Sequence, residues 1–186
     1  MIGPLESVLY RDGATMVERH GRRVAANFGA RAGEEAACLK AVGIADRSDR
    51  TTLEVRGDVD AALLALAAIG ERAWSSYAGS ERAVVRCEYE DTAACLAALG
   101  TATDVTRSYA AIAVVGPNAE ALLDAADLPS SAVTLHEAGL FWEILVPPTL
   151  GPVVWGQLLE AGAPLGVACV GLDAIDNLTA SKRLRA

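Results

Sequence analysis

Histidine is scarce in this chain, with two residues, and the four cysteines form no Cys-x-x-Cys pair. Basic charge is also in deficit, with 16 Lys and Arg against 24 Asp and Glu. Each shortage excludes something. Cys38, Cys87, Cys95 and Cys169 have no neighbouring histidine that would complete a zinc site, so no metal is expected. Set among Ala, Val and Leu, they read as small buried hydrophobes rather than redox groups. His20, among Arg19, Arg22 and Arg23, and His136, before Glu137, read as surface polar residues. The net charge of −8 would repel a polyanion, and nearly all the excess acid lies beyond Arg50, so nucleic acid is not an expected partner. No Gly-x-Ser-x-Gly elbow, phosphate loop or dinucleotide fingerprint occurs. The longest uncharged run, Ile144 to Leu159, is broken by Pro147, Pro148 and Pro152 and is too short for a bilayer span. The opening Met1 to Glu6 lacks the basic and apolar regions of a secretory leader. No membrane association and a cytoplasmic location are therefore expected. The basic end, Ser181-Lys182-Arg183-Leu184-Arg185, reads as a solubilising terminus.

What is present is a hydrophobic chain, 52% apolar and 22% charged over 186 residues, long enough for one large domain or two small fused ones. Its organising feature is an internal repeat. Val55-Arg56-Gly57-Asp58-Val59-Asp60-Ala61-Ala62-Leu63-Leu64 is echoed by Val115-Gly116-Pro117-Asn118-Ala119-Glu120-Ala121-Leu122-Leu123. In each copy a strand (Thr52 to Val55; Ala111 to Val115) meets a glycine, then a capping residue, Asp58 or Asn118, then an Ala/Leu-rich helix. The first copy continues with a hairpin strand at Ala83 to Cys87, a helix starting near Asp91-Thr92 and a β segment at Thr103 to Val105. The second continues with strands at Ala132 to Leu135 and Phe141 to Val146, a helix through Val153 to Leu159 ended by Gly162, and a strand at Leu165 to Val170. Each copy thus reads β-α-β-β-α-β, the split-βαβ or ferredoxin-like order, which predicts an α+β fold of two tandem units with antiparallel sheets. The predicted division is 1–50, an N-terminal extension packed on the core, with a strand or hairpin near Thr15 to Asn27 and a helix from about Gly33 to Ala41; 51–107, the first unit; and 108–186, the second unit with the basic tail.

Val42-Gly43-Ile44-Ala45-Asp46-Arg47-Ser48 leading into Leu53-Glu54-Val55-Arg56-Gly57-Asp58 resembles the VGLFDLS…VSGPDA stretch of the aminomethyltransferase (glycine-cleavage T-protein) folate-binding family. Val114 to Ala119 resembles that family's GPxA turn. Trp142-Glu143-Ile144-Leu145-Val146-Pro147, Trp155 to Gly162 and Gly171-Leu172-Asp173-Ala174 resemble its GFELYVP…W…LLEAG…GLGARDTLR close. In reduced form the chain is similar to the gamma subunit of heterotetrameric sarcosine oxidase, which has this module and no folate chemistry of its own. The resemblance implies a folate-binding-domain-like fold without the family's C-terminal β-barrel, and tetrahydrofolate as the cofactor to test.

Site residues follow from the same resemblance. Glu143 matches the glutamate that hydrogen-bonds the pterin ring, and Trp142 beside it is placed to stack on a ring. The alternatives are a carboxylate that points to solvent or pairs with an arginine, and a core tryptophan. Asp46 and Ser48, in the best-matched stretch, read equally as a local turn or as ligands. The departures are as informative. Where the family has Gly-Gly-x-x-Asp-Asp with its catalytic acid, this chain has no carboxylate between Glu71 and Glu81. Ile175 and Thr179 stand where two arginines hold the anionic folate tail, and the Tyr-Thr-Gly-Glu run is absent. No catalytic residue is assigned. The expectation is an accessory, non-catalytic subunit in a hetero-oligomer with a larger, flavin-dependent enzyme subunit. The alternatives are a tetrahydrofolate-dependent one-carbon transferase and a repurposed small-molecule-binding domain.

Overall fold

The computed structural model describes residues 3–68 and 73–181. Helix α1 (Glu6–Arg11), the hairpin β1 (Thr15–Arg19) and β2 (Arg22–Asn27), helix α2 (Arg31–Lys40) and strand β3 (Val42–Asp46) precede the repeats. His20, at φ 52°, and Gly21, at 73°, supply the left-handed pair that a two-residue hairpin turn needs. The first unit is β4 (Thr51–Arg56), α3 (Val59–Ala67), β5 (Ala73–Gly79), β6 (Arg82–Cys87), α4 (Thr92–Leu99) and β7 (Thr103–Asp104). The second is β8 (Ala110–Val115), α5 (Ala119–Ala125), β9 (Val133–Ala138), β10 (Phe141–Val146), α6 (Gly151–Gly162) and β11 (Val167–Cys169), followed by α7 (Leu172–Ala180). The β-α-β-β-α-β order predicted from the repeat is present twice.

The first sheet has the order β5-β6-β4-β7, all antiparallel, as the ferredoxin-like motif requires. The second runs β11-β3-β8-β10-β9, the same order with one strand added. Strand β3, from the segment assigned on sequence to the N-terminal extension, enters between β8 and β11, antiparallel to the former and parallel to the latter. Gly43 allows this. A Cβ there would lie 2.8 Å from Cys38 Sγ and 2.9 Å from Val170 Cγ1.

Alternation along each strand decides the layers. Leu53, Val55, Ala83, Val85 and Cys87 face α3 and α4, where they pack on Leu66, Cys95 and Leu99. Ile44, Ile112, Val114 and Ile144 face α1, α5 and α6, packing on Leu9, Leu122, Val154, Trp155 and Leu158. The opposite faces of the two sheets meet each other through Val84, Ala111, Leu135 and Leu145. The remainder of the second sheet's inner face is covered by α2 and α7, through Cys38, Ile175 and Leu178 on Ala45, Ala113, Val115 and Phe141. The result is helix, sheet, sheet, helix. Every residue of β8 is buried because both of its faces are covered.

The two repeat caps differ. Asp58 accepts from Ala61 N at 3.1 Å, the expected N-cap. Asn118 makes no such bond; its amide donates to Leu165 O at 3.1 Å and ties the start of α5 to the turn before β11. Gly116 is needed on two counts, a φ of 132° and a Cβ position 2.6 Å from Ala41 O.

Candidate functional site

The connection from β3 to β4 crosses from the second sheet to the first, and it is charged: Asp46-Arg47-Ser48-Asp49-Arg50. All five residues are buried at the seam between the sheets. Buried charges persist only when paired and hydrogen-bonded, so each must find partners.

Arg86, on the inward face of β6, is fully buried and uses all five of its donors. Its Nε donates to Glu143 Oε2 at 2.7 Å and its Nη2 reaches Glu143 Oε1 at 3.5 Å. The other three bonds go to Thr52 Oγ1 at 2.7 Å, Arg50 O at 3.1 Å and Arg47 O at 2.7 Å, which ties the crossing loop to the first sheet. Arg50 is used as fully. It donates to Glu143 Oε1 at 3.0 Å, to both oxygens of Glu137 at 2.5 and 3.2 Å, and twice to Glu88 Oε1 at 2.8 and 2.6 Å. Its guanidinium lies over the Trp74 ring at 4.6 Å and near the Phe141 ring at 5.4 Å. Glu137 reaches it from a bulge, the residue left unpaired where β9 slips register against Phe141 and Trp142. Arg47 pairs with Asp49 at 3.0 Å and with Glu88 at 3.5 Å. Arg19 pairs with Asp176 at 2.7 Å and lies 3.6 Å from Asp49, so four arginines face the carboxylates Asp49, Glu88, Glu137, Glu143 and Asp176.

Burial alone would raise the Glu143 carboxyl, but Arg86 and Arg50 outweigh it and hold the group down at about 2. Burial likewise opposes Asp49 and is overcome by Arg47, so Asp49 also falls below its usual range. In Glu137 burial prevails over Arg50 and the carboxyl is raised. At Asp46 the Ser48 hydrogen bonds and the charge of Arg47 do not outweigh burial. The Asp46 Oδ1 accepts from Ser48 N at 2.9 Å and Ser48 Oγ at 2.6 Å, a local turn, and burial lifts the group to about 6.

A carboxyl raised on folding binds more protons folded than unfolded, so its contribution to stability falls as pH rises from about 4 to about 6. Asp46→Asn removes that dependence. The Tm difference, variant minus parent, is expected to move in the variant's favour by roughly 5 °C between pH 4.5 and pH 7, read by scanning calorimetry. An unchanged difference would mean Asp46 is ionised in the fold throughout.

The residues singled out on sequence are separated by the strand. Glu143 points into the seam, with both oxygens taken by arginine N–H groups and 2% exposure. Trp142, its neighbour on β10, points to the opposite face, half-buried against the helical core and stacked on His136 at 4.3 Å. One ring lying on either face cannot meet both. His136 is exposed and contacts Gly139 O at 3.0 Å, and His20 stacks on Tyr89 at 4.3 Å. All four cysteines are free, and burial raises Cys38, Cys87 and Cys169 to about 12. Among the described residues no group of His, Cys, Asp and Glu is placed to hold a metal, and no helix is long and apolar enough to cross a membrane. Lys182 to Arg185 of the basic tail, and Glu71, lie outside the described residues.

Arg50, Arg86, Glu88 and Glu137 were not candidates on sequence. The available signal was Arg86 itself, a single charge inside the apolar strand Ala83-Val84-Val85-Arg86-Cys87, matched by Glu143 of opposite sign in the equivalent strand of the other unit.

No family profile and no curated protein sequence matches the chain. Solved structures do. The glycine cleavage system aminomethyltransferase T from Bartonella henselae superposes with a TM-score of 0.72 over 96% of this chain at 20% identity. The fold is the aminomethyltransferase fold. This chain spans 61% of the Bartonella protein's length. A chain of heterotetrameric sarcosine oxidase from Corynebacterium sp. U-96, solved in complex with pyrrole 2-carboxylate, matches with a TM-score of 0.53 at 14% identity, over 90% of this chain and 97% of that one. Within the aminomethyltransferase fold, then, the seam between the two ferredoxin-like units is filled here by a closed set of arginine–carboxylate pairs.

Proposed function

We propose that this chain is an accessory, non-catalytic subunit of a folate-associated one-carbon or amine-oxidising enzyme, held in a cytoplasmic hetero-oligomer with a larger, flavin-dependent subunit. One observation carries the reading. The carboxylate at the position that would grip a pterin ring is already saturated by Arg50 and Arg86, and releasing it would leave two buried guanidinium groups short of a partner. Two further features support it. The stretch that would hold the catalytic acid continues as strand β5, whose Trp74 packs on Arg50 instead of presenting a carboxylate. Ile175, in place of a folate-tail arginine, is buried on the second sheet. The likeness in extent to a chain of a heterotetrameric oxidase favours a subunit role.

Calorimetric titration tests the non-catalytic part. Tetrahydrofolate and 5-formyltetrahydrofolate at high micromolar concentration are expected to give no binding heat. Saturable binding that Glu143→Ala abolishes would instead establish a folate-dependent transferase with a rebuilt site. Co-expression with the products of the adjacent genes tests the subunit part, with a stable complex on size exclusion as the expected result and a lone monomer as the opposing one.

A further inference from the structure

The helix layer of the first unit is apolar on both sides. Its inner side packs on the first sheet. Its outer side presents Ala61, Leu64, Ala65 and Ala68 at the i, i+3, i+4, i+7 spacing of one helix face, with Ala93 and Ala97 on α4, all exposed. Leu64 is 76% exposed, the most of any large hydrophobic side chain among the described residues. Residues 61–68 and 92–99 carry no charge.

The second unit shows what the fold itself asks for at these positions. Asp58 and Asn118 are the N-cap residues of α3 and α5. Counted from those caps, Leu64 occupies the place of Asp124, which is exposed. The outward side of α6 likewise carries the exposed Glu160. At the Leu64 position one copy of the repeat carries an exposed carboxylate and the other an exposed leucine, whereas both copies carry an acid in the first helical turn, Asp60 and Glu120, and α6 also exposes Val153. A leucine exposed among alanines on two neighbouring helices is an apolar patch of the kind that meets a partner, so the difference calls for an occupant.

Charge at the edges selects it. Strands β4 and β6 are antiparallel, so the helices that follow them, α3 and α4, are antiparallel too and their N-termini lie at opposite ends of the layer. Asp58, which caps α3, and Asp60, which accepts from the Tyr77 hydroxyl at 2.5 Å, stand at one end and Glu90, 3.4 Å from His20 Nε2, at the other, all exposed. A second copy packed here would bring acid against acid in a chain of net charge −8. We infer that the outer face of α3 and α4 is the surface on which the larger subunit docks, and that its occupant is a protein surface with an apolar centre flanked at both ends by Lys or Arg. The partner's identity as a larger subunit rests on the accessory-subunit reading; the chemistry of the face does not.

Two labelled synthetic helical peptides with one Leu/Ala centre, ended by lysines or by glutamates, probe the face by fluorescence anisotropy. The Lys-ended peptide is expected to bind the parent protein in a salt-sensitive manner. Leu64→Asp, which installs the residue type of the other copy, is expected to weaken that binding at least about tenfold while leaving Tm and circular dichroism unchanged. Ala97→Glu is the second variant, should the first fail to fold. Equal binding of the two peptides, or binding unchanged in a folded variant, overturns the proposal. A parent dimer that Leu64→Asp dissolves, seen by light scattering, overturns it in favour of a second copy. In co-expression, a complex that survives Leu64→Asp refutes this face while the subunit reading stands. Absence of any complex refutes the subunit reading, and the peptides still decide the face.

Discussion

Replacing Arg86 with alanine is expected to cost about 3–5 kcal/mol of unfolding free energy, a fall in Tm on the order of 10 °C. The loss comes from what is left behind. Glu143 is 2% exposed, and without Arg86 it keeps one cation, Arg50, which it shares with Glu137 and Glu88. The carbonyls of Arg47 and Arg50 and the Thr52 hydroxyl lose a donor as well. A second variant separates the charge effect from the lost bonds. Arg86→Met with Glu143→Leu removes both charges together, and it is expected to recover about half of the deficit, because apolar groups of similar volume replace a buried pair at little net cost. Chemical denaturation of the parent, single and double variants measures each value. A single variant as stable as the parent would mean that Glu143 reaches solvent.

Arg50→Ala is expected to be comparably severe at neutral pH, about 3–5 kcal/mol, and to carry a different pH signature. Arg50 separates Glu137 from Glu143, and burial already raises the Glu137 carboxyl. Without the guanidinium, Glu137 gains a proton at higher pH still, and a carboxyl raised on folding stabilises as pH falls. The variant should therefore regain stability from pH 7 toward pH 5. Parent stability through Glu143 runs the other way: that carboxyl is lowered to about 2, so its contribution is complete above its unfolded value and is lost progressively as pH falls from there through about 2. Thermal unfolding of both proteins across this range measures the contrast. Parallel pH profiles would show that Arg50 is not the counter-ion of Glu137.

Such a closed ionic seam suits an accessory role. A site that binds a ligand leaves polar groups waiting for it, whereas Arg50 and Arg86 spend every donor inside the chain. The exposed apolar patch around Leu64 on α3 and α4 is then the more informative surface, because there the chain departs from its own second copy, which has Asp124, without any need of the core.

Much of the architecture was legible along the chain. The repeated Gly, cap and Ala/Leu-rich helix marked two units, and the apolar runs Phe141 to Val146 and Ala83 to Cys87 marked their inner strands, because these are local regularities written within about ten residues. Trp142 and Glu143 were chosen together as contacts of one ring, and the structure separates them because neighbouring strand positions face opposite ways. Strand β3 was not legible: Val42–Asp46 is buried on both faces and has no alternation, and its neighbours in the sheet lie far along the chain, at β8 and β11. Nor was the Asn118 bond, since its acceptor is Leu165. Glu143 was chosen from sequence, and its partners were not. Arg86 lies 57 positions away and Arg50 lies 93. Sequence by itself determined two β-α-β-β-α-β units and a charge set inside the apolar run of the third strand of each, Arg86 and Glu143. Only the tertiary structure decided that those charges meet, because the pairing depends on two sheets stacking face to face, and that contact leaves no local period to read.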